Sequence, residues 1–421
     1  MVEFVDALRD AGYVANQILA SAQRPLGDIA AFMSTGVTVT NGTAGANSTI
    51  QTAATTARNG GVSANLGDGR VTMLGGLAQS TVPNTAEVIY SITLNNNTLW
   101  SAHASGIAFI TQADTFDFAM RAQNGNAQRW IAYLTDLNTG IRQRIQETDI
   151  VVPAGEANNF NYYKIALANT GNTRNMLVEV YCSDHLARFR GVNVPTGCSV
   201  RPWVNYEPRV LMIGDSFYQG DGGMNDTTRD ARLAMPDWML ATLGIRVPAC
   251  INGIGGTGLL GKGSGGAFYN YQERQAAGDF TAARIGNVDL IVVNGSNNDL
   301  ATSPGGTADD TAVTNAMADF ISRVMANQPN AIIVALPQPF RPDLVPYSTA
   351  RANAYRDGVL RAAGSDRRVI WAGGNTIYEN GLNTGDIGAD ANHPGGLYAT
   401  RRVGVSLGQS IVGAIRGRYG L

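Results

Sequence analysis

Apolar and polar side chains alternate in short stretches through much of the first half of the chain. Between residues 86 and 200 these stretches are clearest at 116–121, 130–134, 163–167 and 176–181. A period of two is that of a β-strand with one buried face. Many short strands at this spacing predict an N-terminal β-sandwich that is jelly-roll-like in outline.

The pattern changes near residues 203–207. From there on, continuous apolar runs recur, of the kind found in strands that are buried on both faces. The runs are 209–213, 246–251, 288–294, 331–336 and 368–371. Helical periodicity separates them at 308–327, at 348–363 and after 396. Alternating strands and helices predict a parallel sheet with helices on both faces, which is a three-layer α/β/α domain.

These changes of pattern divide the chain into three predicted segments. Residues 1–35 contain a helical pattern at 3–21, which packs on the body or helps to assemble a homo-oligomer; both alternatives stay open. Residues 36–204 form the β-sandwich. Residues 205–421 form the α/β domain.

Composition excludes several functions. The chain of 421 residues has a formal net charge of −2 and no long run of Lys or Arg, so we expect no nucleic-acid partner. No apolar stretch approaches the roughly 18 residues of a membrane span. Residues 1–20 lack the basic start and the continuous apolar run of a signal peptide. That predicts a cytoplasmic or virion-associated protein, or export by another route.

Cysteine and histidine are too few and too scattered for a metal centre. The three Cys residues and the three His residues make no zinc-binding spacing, so we expect no bound metal. Cys182 and Cys198 either bridge a hairpin or are two buried thiols. The sequence leaves both alternatives open.

Four short motifs follow strands of the α/β domain, where parallel sheets bind their ligands. They are Gly214-Asp215-Ser216 and the segments 252–257, 295–299 and 390–394. Singly each is weak, because a serine such as Ser216 more often caps a helix. In this order and placement they resemble the SGNH (GDSL-like) hydrolase family, whose four sequence blocks they match. The resemblance covers about residues 207–421 and does not reach residues 1–203.

The resemblance implies a serine-dependent ester hydrolase that forms an acyl-serine intermediate and needs no metal or organic cofactor. Ser216 is then the nucleophile, His393 the base that takes its proton, and Asp390 the carboxylate that orients His393. The chemistry fits these residue types. A serine hydroxyl is weak until a base removes its proton, and an imidazole titrates near neutral pH. A neighbouring carboxylate stabilises the imidazolium that forms.

The resemblance also implies an oxyanion hole made of the backbone N–H groups of Ser216 and Gly256 and the side-chain amide of Asn298. Asn298 is preferred to the asparagine before it, because it precedes an aspartate as in the family's Asn-Asp pair. Gly256 is preferred to the glycine before it, and a glycine suits a tight loop that must aim its N–H at the substrate. Ser296 departs from the family, which often has glycine there.

Two other enzyme motifs come into consideration, and neither fits the sequence. Residues 256–262 resemble a phosphate-binding P-loop, but Gly263 stands where a Ser or Thr should bind magnesium. No Gly-x-Ser-x-Gly elbow is present, which argues against the ordinary α/β-hydrolase fold.

The substrate is less narrowly defined than the reaction. The family cleaves acetyl groups from polysaccharides, short acyl esters, lipids and thioesters, and a β-sandwich before such a domain resembles the layout of carbohydrate acetyl esterases. We therefore expect a small ester or an acylated carbohydrate as substrate, and O-acetyl groups above all. The alternatives are a phage-tail or surface-assembly component that binds or deacetylates a cell-surface glycan, and a lipase or thioesterase of the same fold.

The resemblance implies that residues 205–421 are the catalytic domain and that residues 36–204 are a carbohydrate-binding or accessory domain. Two expectations concern this β-sandwich. Trp130, Tyr133, Tyr162 and Tyr163 either stack on sugars or belong to the core. All four motifs follow residue 207, so a chain that starts near Trp203 should keep activity on a small ester and lose it on an acetylated polysaccharide. This holds only if the sandwich does not itself shape the active-site rim.

Overall fold

In the computed structural model of the protein, the described residues are 38–41, 63–64, 71–74, 78–80, 88–90, 92–93, 99–100, 105–121, 128–145, 150–152, 161–167, 171–182, 188–204, 207–219, 235–263, 269–300, 305–337, 349–373 and 397–420. The N-terminal segment 1–35, with its predicted helix, lies outside them.

The described residues before position 203 form antiparallel sheets. Their strands, β1–β16, are Thr38–Asn41, Ser63–Ala64, Thr72–Leu74, Ala78–Ser80, Val88–Tyr90, Ile92–Thr93, Leu99–Trp100, Ser105–Thr111, Thr115–Arg121, Gln128–Asp136, Arg142–Arg144, Ile150–Val152, Asn161–Ala166, Met176–Cys182, Arg188–Asn193 and Val200–Pro202. One sheet has the order β1-β13-β9-β15-β5-β4, with β2 beside β15. The second has the order β11-β10-β14-β8-β16, with β12 beside β10 and β3 beside β8. The predicted N-terminal β-sandwich is thereby confirmed.

The alternation seen in the sequence sorts side chains onto the two faces of each sheet. In β14, Val178 lies in the core between the sheets, whereas Leu177 lies on the opposite face. Trp130 and Tyr163 fill the same core, with ring centroids 5.2 Å apart. Both rings are buried, and so are Tyr133 and Tyr162. Of the two alternatives for these four aromatic residues, the core is the one the structure favours.

The second half of the chain forms a parallel sheet between two layers of helices, as predicted. Strands β17–β21 are Val210–Gly214, Cys250–Gly253, Leu290–Asn294, Ile332–Leu336 and Val369–Trp371. Helices α1–α7 of the described residues are Ser216–Gln219, Met235–Thr242, Tyr271–Ala276, Ala282–Ile285, Asp310–Asn327, Thr349–Ala363 and Leu397–Tyr419. The sheet order is β18-β17-β19-β20-β21, and every neighbouring pair is parallel.

Each β-strand of the parallel sheet is buried on both faces, which explains its continuous apolar sequence. In β17, Val210 and Met212 pack on one side with α1, α2 and α7. Leu211 and Ile213 pack on the other side with α3, α4, α5 and α6. The three-layer α/β/α architecture is confirmed.

One apolar cluster joins the sandwich to the α/β part. From the sandwich it contains Leu74, Ala108, Ile131, Tyr133, Leu177 and Tyr181. From the α/β part it contains Met212 of β17 and Phe217 of α1, which follows Ser216 directly. The outer face of one sandwich sheet is therefore packed against other apolar groups. The domain limits at 36–204 and 205–421 stay a prediction, because the two parts share a core.

Polar contacts reinforce the same sheet face. Glu179 is only 2% exposed, and its carboxylate accepts hydrogen bonds from Arg142 Nε at 2.9 Å and from the Tyr181 hydroxyl at 2.5 Å. Thr72 donates to the carbonyl oxygen of Trp203, at 2.6 Å. A carboxylate buried in this way needs such partners, because an unpaired charge there would be strongly destabilising.

Two further sequence expectations concern the cysteines and a membrane span. In the described part of the chain Cys198 is a buried free thiol, and the side chain of Cys182 lies outside the described residues. Within the same residues, no helix combines the length and the apolar character that a membrane crossing requires.

Candidate active site

Ser216 lies where the strand order of the parallel sheet reverses. The chain runs from β17 out to β18 on one side, then to β19 on the other, and ligands of such sheets bind at this switch point. Gly214 ends β17 and Ser216 begins α1, so the first motif stands at the carboxyl edge of the sheet. Ser216 is buried at this edge, with 7% of its surface exposed.

The fourth motif cannot be placed beside the first three. Asp390 and His393 lie outside the described residues. The catalytic triad of Ser216, Asp390 and His393 therefore stays a prediction.

Asp215 connects the first motif to the third. One carboxylate oxygen accepts the N–H of Phe217 at 3.1 Å, which fixes the first turn of α1. The other accepts the Ser296 hydroxyl at 2.8 Å, from a residue 81 positions along the chain. Asp215 is 1% exposed, so these bonds are shielded from water.

Ser296 is a residue whose importance sequence analysis missed. Its O–H donates to Asp215, and its hydroxyl oxygen accepts the backbone N–H of Asn298 at 3.1 Å and the side-chain amide of Asn298 at 3.0 Å. The same amide donates to the carbonyl oxygen of Thr257, at 3.0 Å. Ser296 and Asn298 thus bring the first three motifs together. A serine hydroxyl can bond the backbone two residues further along, and this local turn tendency is the signal that the sequence offers.

The turn of the second motif requires glycine at one position. Gly256 has a left-handed backbone, with φ of +74°, whereas Gly255 does not. Residues other than glycine rarely adopt this conformation. The turn closes with the N–H of Thr257 donating to the carbonyl oxygen of Ile254, at 3.2 Å.

Asp299 shapes the loop that follows this turn. Its buried carboxylate accepts the N–H groups of Leu259, Leu260 and Gly261 at 2.9, 2.6 and 2.8 Å. It also accepts the hydroxyl of Tyr355. Burial raises the pKa of Asp299, although each of these hydrogen bonds lowers it.

The same contacts explain why the P-loop resemblance is superficial. The N–H groups that would hold a phosphate donate instead to the carboxylate of Asp299. A Cβ on Gly258 would lie 2.4 Å from that carboxylate, so this glycine serves the aspartate. Lys262, which would reach the phosphate in a P-loop, pairs with Glu273.

A second buried carboxylate predicts a pH-dependent stability. Asp279 is fully buried, and burial raises its pKa from 3.8 to about 6, against the lowering effect of Arg284 and Arg274. The folded protein therefore holds this proton more tightly than the unfolded chain does. Ionisation destabilises the fold progressively between pH ~4 and ~6 and fully above that range.

Asp279→Asn removes this ionisation. We expect its free energy of unfolding, relative to the unmodified chain, to rise from pH 4 to pH 6.5 and then stay level. Urea unfolding at a series of pH values measures this. Asp319→Asn, which changes a half-exposed carboxylate in α5, is the control. A difference that does not change with pH would contradict the prediction.

Within the described part of the chain, no three His, Cys, Asp or Glu side chains are grouped so that they could hold a metal ion. The described residues of the site offer hydroxyl, amide, carboxylate and backbone N–H groups.

Comparison with known proteins gives similarity in structure only. No protein-family model matches the sequence, and no curated protein matches it. A family 2 carbohydrate esterase from Cellvibrio japonicus is 13% identical, with a TM-score of 0.53 over 91% of this chain and 99% of that chain. A family 2 carbohydrate esterase with a carbohydrate-binding domain, from Corynascus thermopiles (Myceliophthora fergusii), is 19% identical, with a TM-score of 0.51 over 83% and 100%.

An acyltransferase has a similar structure. It is a salicylyl-acyltransferase from a tetracycline biosynthetic pathway, 12% identical, with a TM-score of 0.52 over 74% of this chain and 85% of that chain. Identities this low show a common fold and leave the activity to be argued from the site. The fold of this chain, a three-layer α/β/α domain together with an N-terminal β-sandwich, is similar to that of these two carbohydrate esterases.

Proposed function

We propose that this protein is a serine esterase that removes short acyl groups, chiefly O-acetyl groups, from a carbohydrate. The observation that carries the proposal is the position of Ser216. It stands at the switch point of the parallel sheet, and the turn of Gly256 and the side chain of Asn298 are bound into the same hydrogen-bonded group. Structures of this fold include carbohydrate esterases, which supports the choice of reaction.

The reaction follows from the roles assigned to the triad. Ser216 Oγ attacks the ester carbonyl carbon while His393 takes the hydroxyl proton, and Asp390 stabilises the resulting imidazolium. When the tetrahedral intermediate collapses, the bond between carbon and the sugar oxygen breaks, and His393 returns its proton to that oxygen. Water then attacks the acyl-serine in the same manner, which releases the carboxylic acid and restores Ser216.

The oxyanion of each tetrahedral intermediate needs donors that are already in place. The backbone N–H groups of Ser216 and Gly256 and the side-chain amide of Asn298 are the proposed donors. The left-handed backbone of Gly256 supports its part, because a turn fixed in this way holds its N–H direction. Asn298 donates to Thr257 and Ser296, so an oxyanion must compete with one of these acceptors for an amide hydrogen.

A preference for short acyl groups is the main prediction about substrate. We expect kcat/KM to be higher on p-nitrophenyl acetate than on p-nitrophenyl octanoate, because a pocket that fits an acetyl group excludes a longer acyl chain. Each methylene group in a pocket of fixed size changes the discrimination between two substrates by about 1–3 kcal/mol. Initial rates over a series from C2 to C8 measure this. A steady rise toward C8 would contradict the proposal and favour a lipase or thioesterase.

The same assay should include acetylated glycans and an analysis of products. Release of free acetate identifies hydrolysis. A new ester on an added alcohol would identify acyl transfer, the activity named for one protein of similar structure. Activity confined to a cell-surface glycan would favour the phage-tail or surface-assembly alternative.

A further inference from the structure

Arg274 is a fully buried cation beneath the candidate active site, on helix α3. Its Nη1 atom donates to the backbone carbonyl oxygen of Asn252 at 2.8 Å and to the side-chain oxygen of the same residue. Its Nη2 atom makes longer contacts, 3.3 Å to the carbonyl oxygen of Gly214 and 3.4 Å to the hydroxyl of Thr257. One guanidinium therefore touches the end of β17, the end of β18 and the turn after β18.

The position of these contacts matters more than their number. Gly214 is two residues before Ser216, and Thr257 is the residue after Gly256. The two backbone N–H groups of the proposed oxyanion hole thus belong to segments that Arg274 holds directly. A planar guanidinium is suited to this, because its donors have a fixed geometry.

The guanidinium keeps its charge in this setting. Burial lowers the pKa of Arg274 to about 10, and electrostatic interactions with Tyr271, Asp279 and Asp215 oppose that decrease. At neutral pH the group is therefore protonated. The guanidinium also lies over an aromatic ring, with its carbon 4.8 Å from the centre of the Tyr271 ring. Helix α3 begins with a capping box between Asn270 and Glu273, which fixes its start.

We propose that Arg274 is a positioning residue: it fixes the spacing of the ends of β17 and β18, and so aligns the N–H groups of Ser216 and Gly256 toward one oxyanion. The inference rests on the proposed esterase function, because it assigns Arg274 to the oxyanion hole of that reaction. Loss of this alignment affects the transition state more than the bound ester, since only the tetrahedral oxygen needs both donors at once.

The test is Arg274→Lys, which keeps a positive charge but cannot reach all of these acceptors. With p-nitrophenyl acetate, kcat should fall by about 10- to 100-fold, because a displacement of the order of 1 Å can cost about 100-fold in rate. KM should change by less than about threefold, as expected when only the transition state loses stabilisation. Amide hydrogen exchange in peptides that span 212–218 and 250–258 should become faster.

Val324→Ala is the matched control. Val324 is fully buried in α5, and its side chain takes part in none of the hydrogen bonds described above for the site. The activity and the hydrogen exchange of each variant are measured at the same interval below its own Tm, so that the two variants are compared at equal loss of stability. The control should keep kcat, and exchange in the two peptides should stay as in the unmodified chain. A general loss of stability would instead affect both variants equally.

Three outcomes would overturn the proposal. The first is a folded Arg274→Lys variant with unchanged kcat and unchanged exchange. The second is a rise in KM at constant kcat. The third applies if Arg274→Lys does not fold. Asn252→Ala, which removes one acceptor of Arg274, must then show a smaller fall in kcat and a smaller increase in exchange. An Asn252→Ala variant with unchanged kcat and unchanged exchange would refute the positioning role of Arg274.

Hydrogen exchange also separates this proposal from the proposed function. If the unmodified protein hydrolyses no ester, or if Ser216→Ala keeps its activity, the esterase proposal fails. Exchange at the two strand ends still shows whether Arg274 positions them.

Discussion

Ser216→Ala is expected to lower kcat/KM on an acetate ester by on the order of 10⁴-fold or more, because the nucleophile is lost while binding and the oxyanion donors remain. The fold should not change. Ser216 is at the start of α1, whose first turn is fixed by Asp215 through the N–H of Phe217. Initial rates on p-nitrophenyl acetate measure the effect, and circular dichroism with thermal unfolding verifies the fold.

Ser322→Ala provides the control for this substitution. Ser322 lies in α5, where its hydroxyl donates to the carbonyl oxygen of Ala318, and it should be replaceable without loss of activity. A serine-reactive phosphonate followed by peptide mapping should label Ser216 alone. Label on another residue, or an alanine variant with near-normal turnover, would remove Ser216 from the role of nucleophile.

The parts of this fold that sequence analysis predicted are those that depend on local pattern. The apolar run at 331–336 corresponds to β20 at Ile332–Leu336, and the helical period at 308–327 to α5 at Asp310–Asn327. A strand that is buried on both faces has apolar side chains at nearly every position, so a continuous apolar run in the sequence predicts it. The run at 246–251 was less accurate. Its strand is Cys250–Gly253, and the proline at 248, which has no N–H to pair, precedes it.

The parts that could not be predicted depend on contacts between distant residues. Asp215 and Ser296 are 81 positions apart, and Gly214 and Arg274 are 60 positions apart. No local pattern indicates such pairs. The candidate nucleophile was identified because a strand end and a resemblance coincide at Ser216. The residues that orient its neighbourhood, Ser296 and Arg274, follow only from the packed structure.

Tyr133 shows a further limit of sequence pattern. For Tyr133 the sequence leaves stacking on a sugar and burial in the core open, and its alternation with Trp130 and Ala132 places it on the opposite face of the strand from them. It does lie on that face, and it is 4% exposed because it belongs to the cluster shared with the α/β part. Periodicity assigns a residue to a face of a sheet, and the tertiary packing decides what covers that face.

This shared cluster changes the expected behaviour of a chain that starts at Trp203. Such a chain loses six buried side chains of the cluster and uncovers the groups they contact. Burial of one large apolar side chain contributes about 1.5–3 kcal/mol, and the whole free energy of unfolding of a typical protein is about 5–15 kcal/mol. We therefore expect the shortened chain to be unfolded or poorly soluble, and inactive even on p-nitrophenyl acetate. Circular dichroism, thermal unfolding and initial rates measure this.

A pair of substitutions in the full chain tests the same idea without truncation. Ile131 and Ile107 are both fully buried sandwich residues, but Ile131 faces the shared cluster and Ile107 the sandwich core. If the two parts unfold together, Ile131→Ala and Ile107→Ala should each lower the Tm of one common transition. If they unfold separately, Ile107→Ala should leave the α/β transition unchanged.

One result with the shortened chain would contradict the shared core. A chain from Trp203 that folds and cleaves the small ester at the full rate, but does not cleave acetylated polysaccharide, would leave the sandwich with a role in binding only.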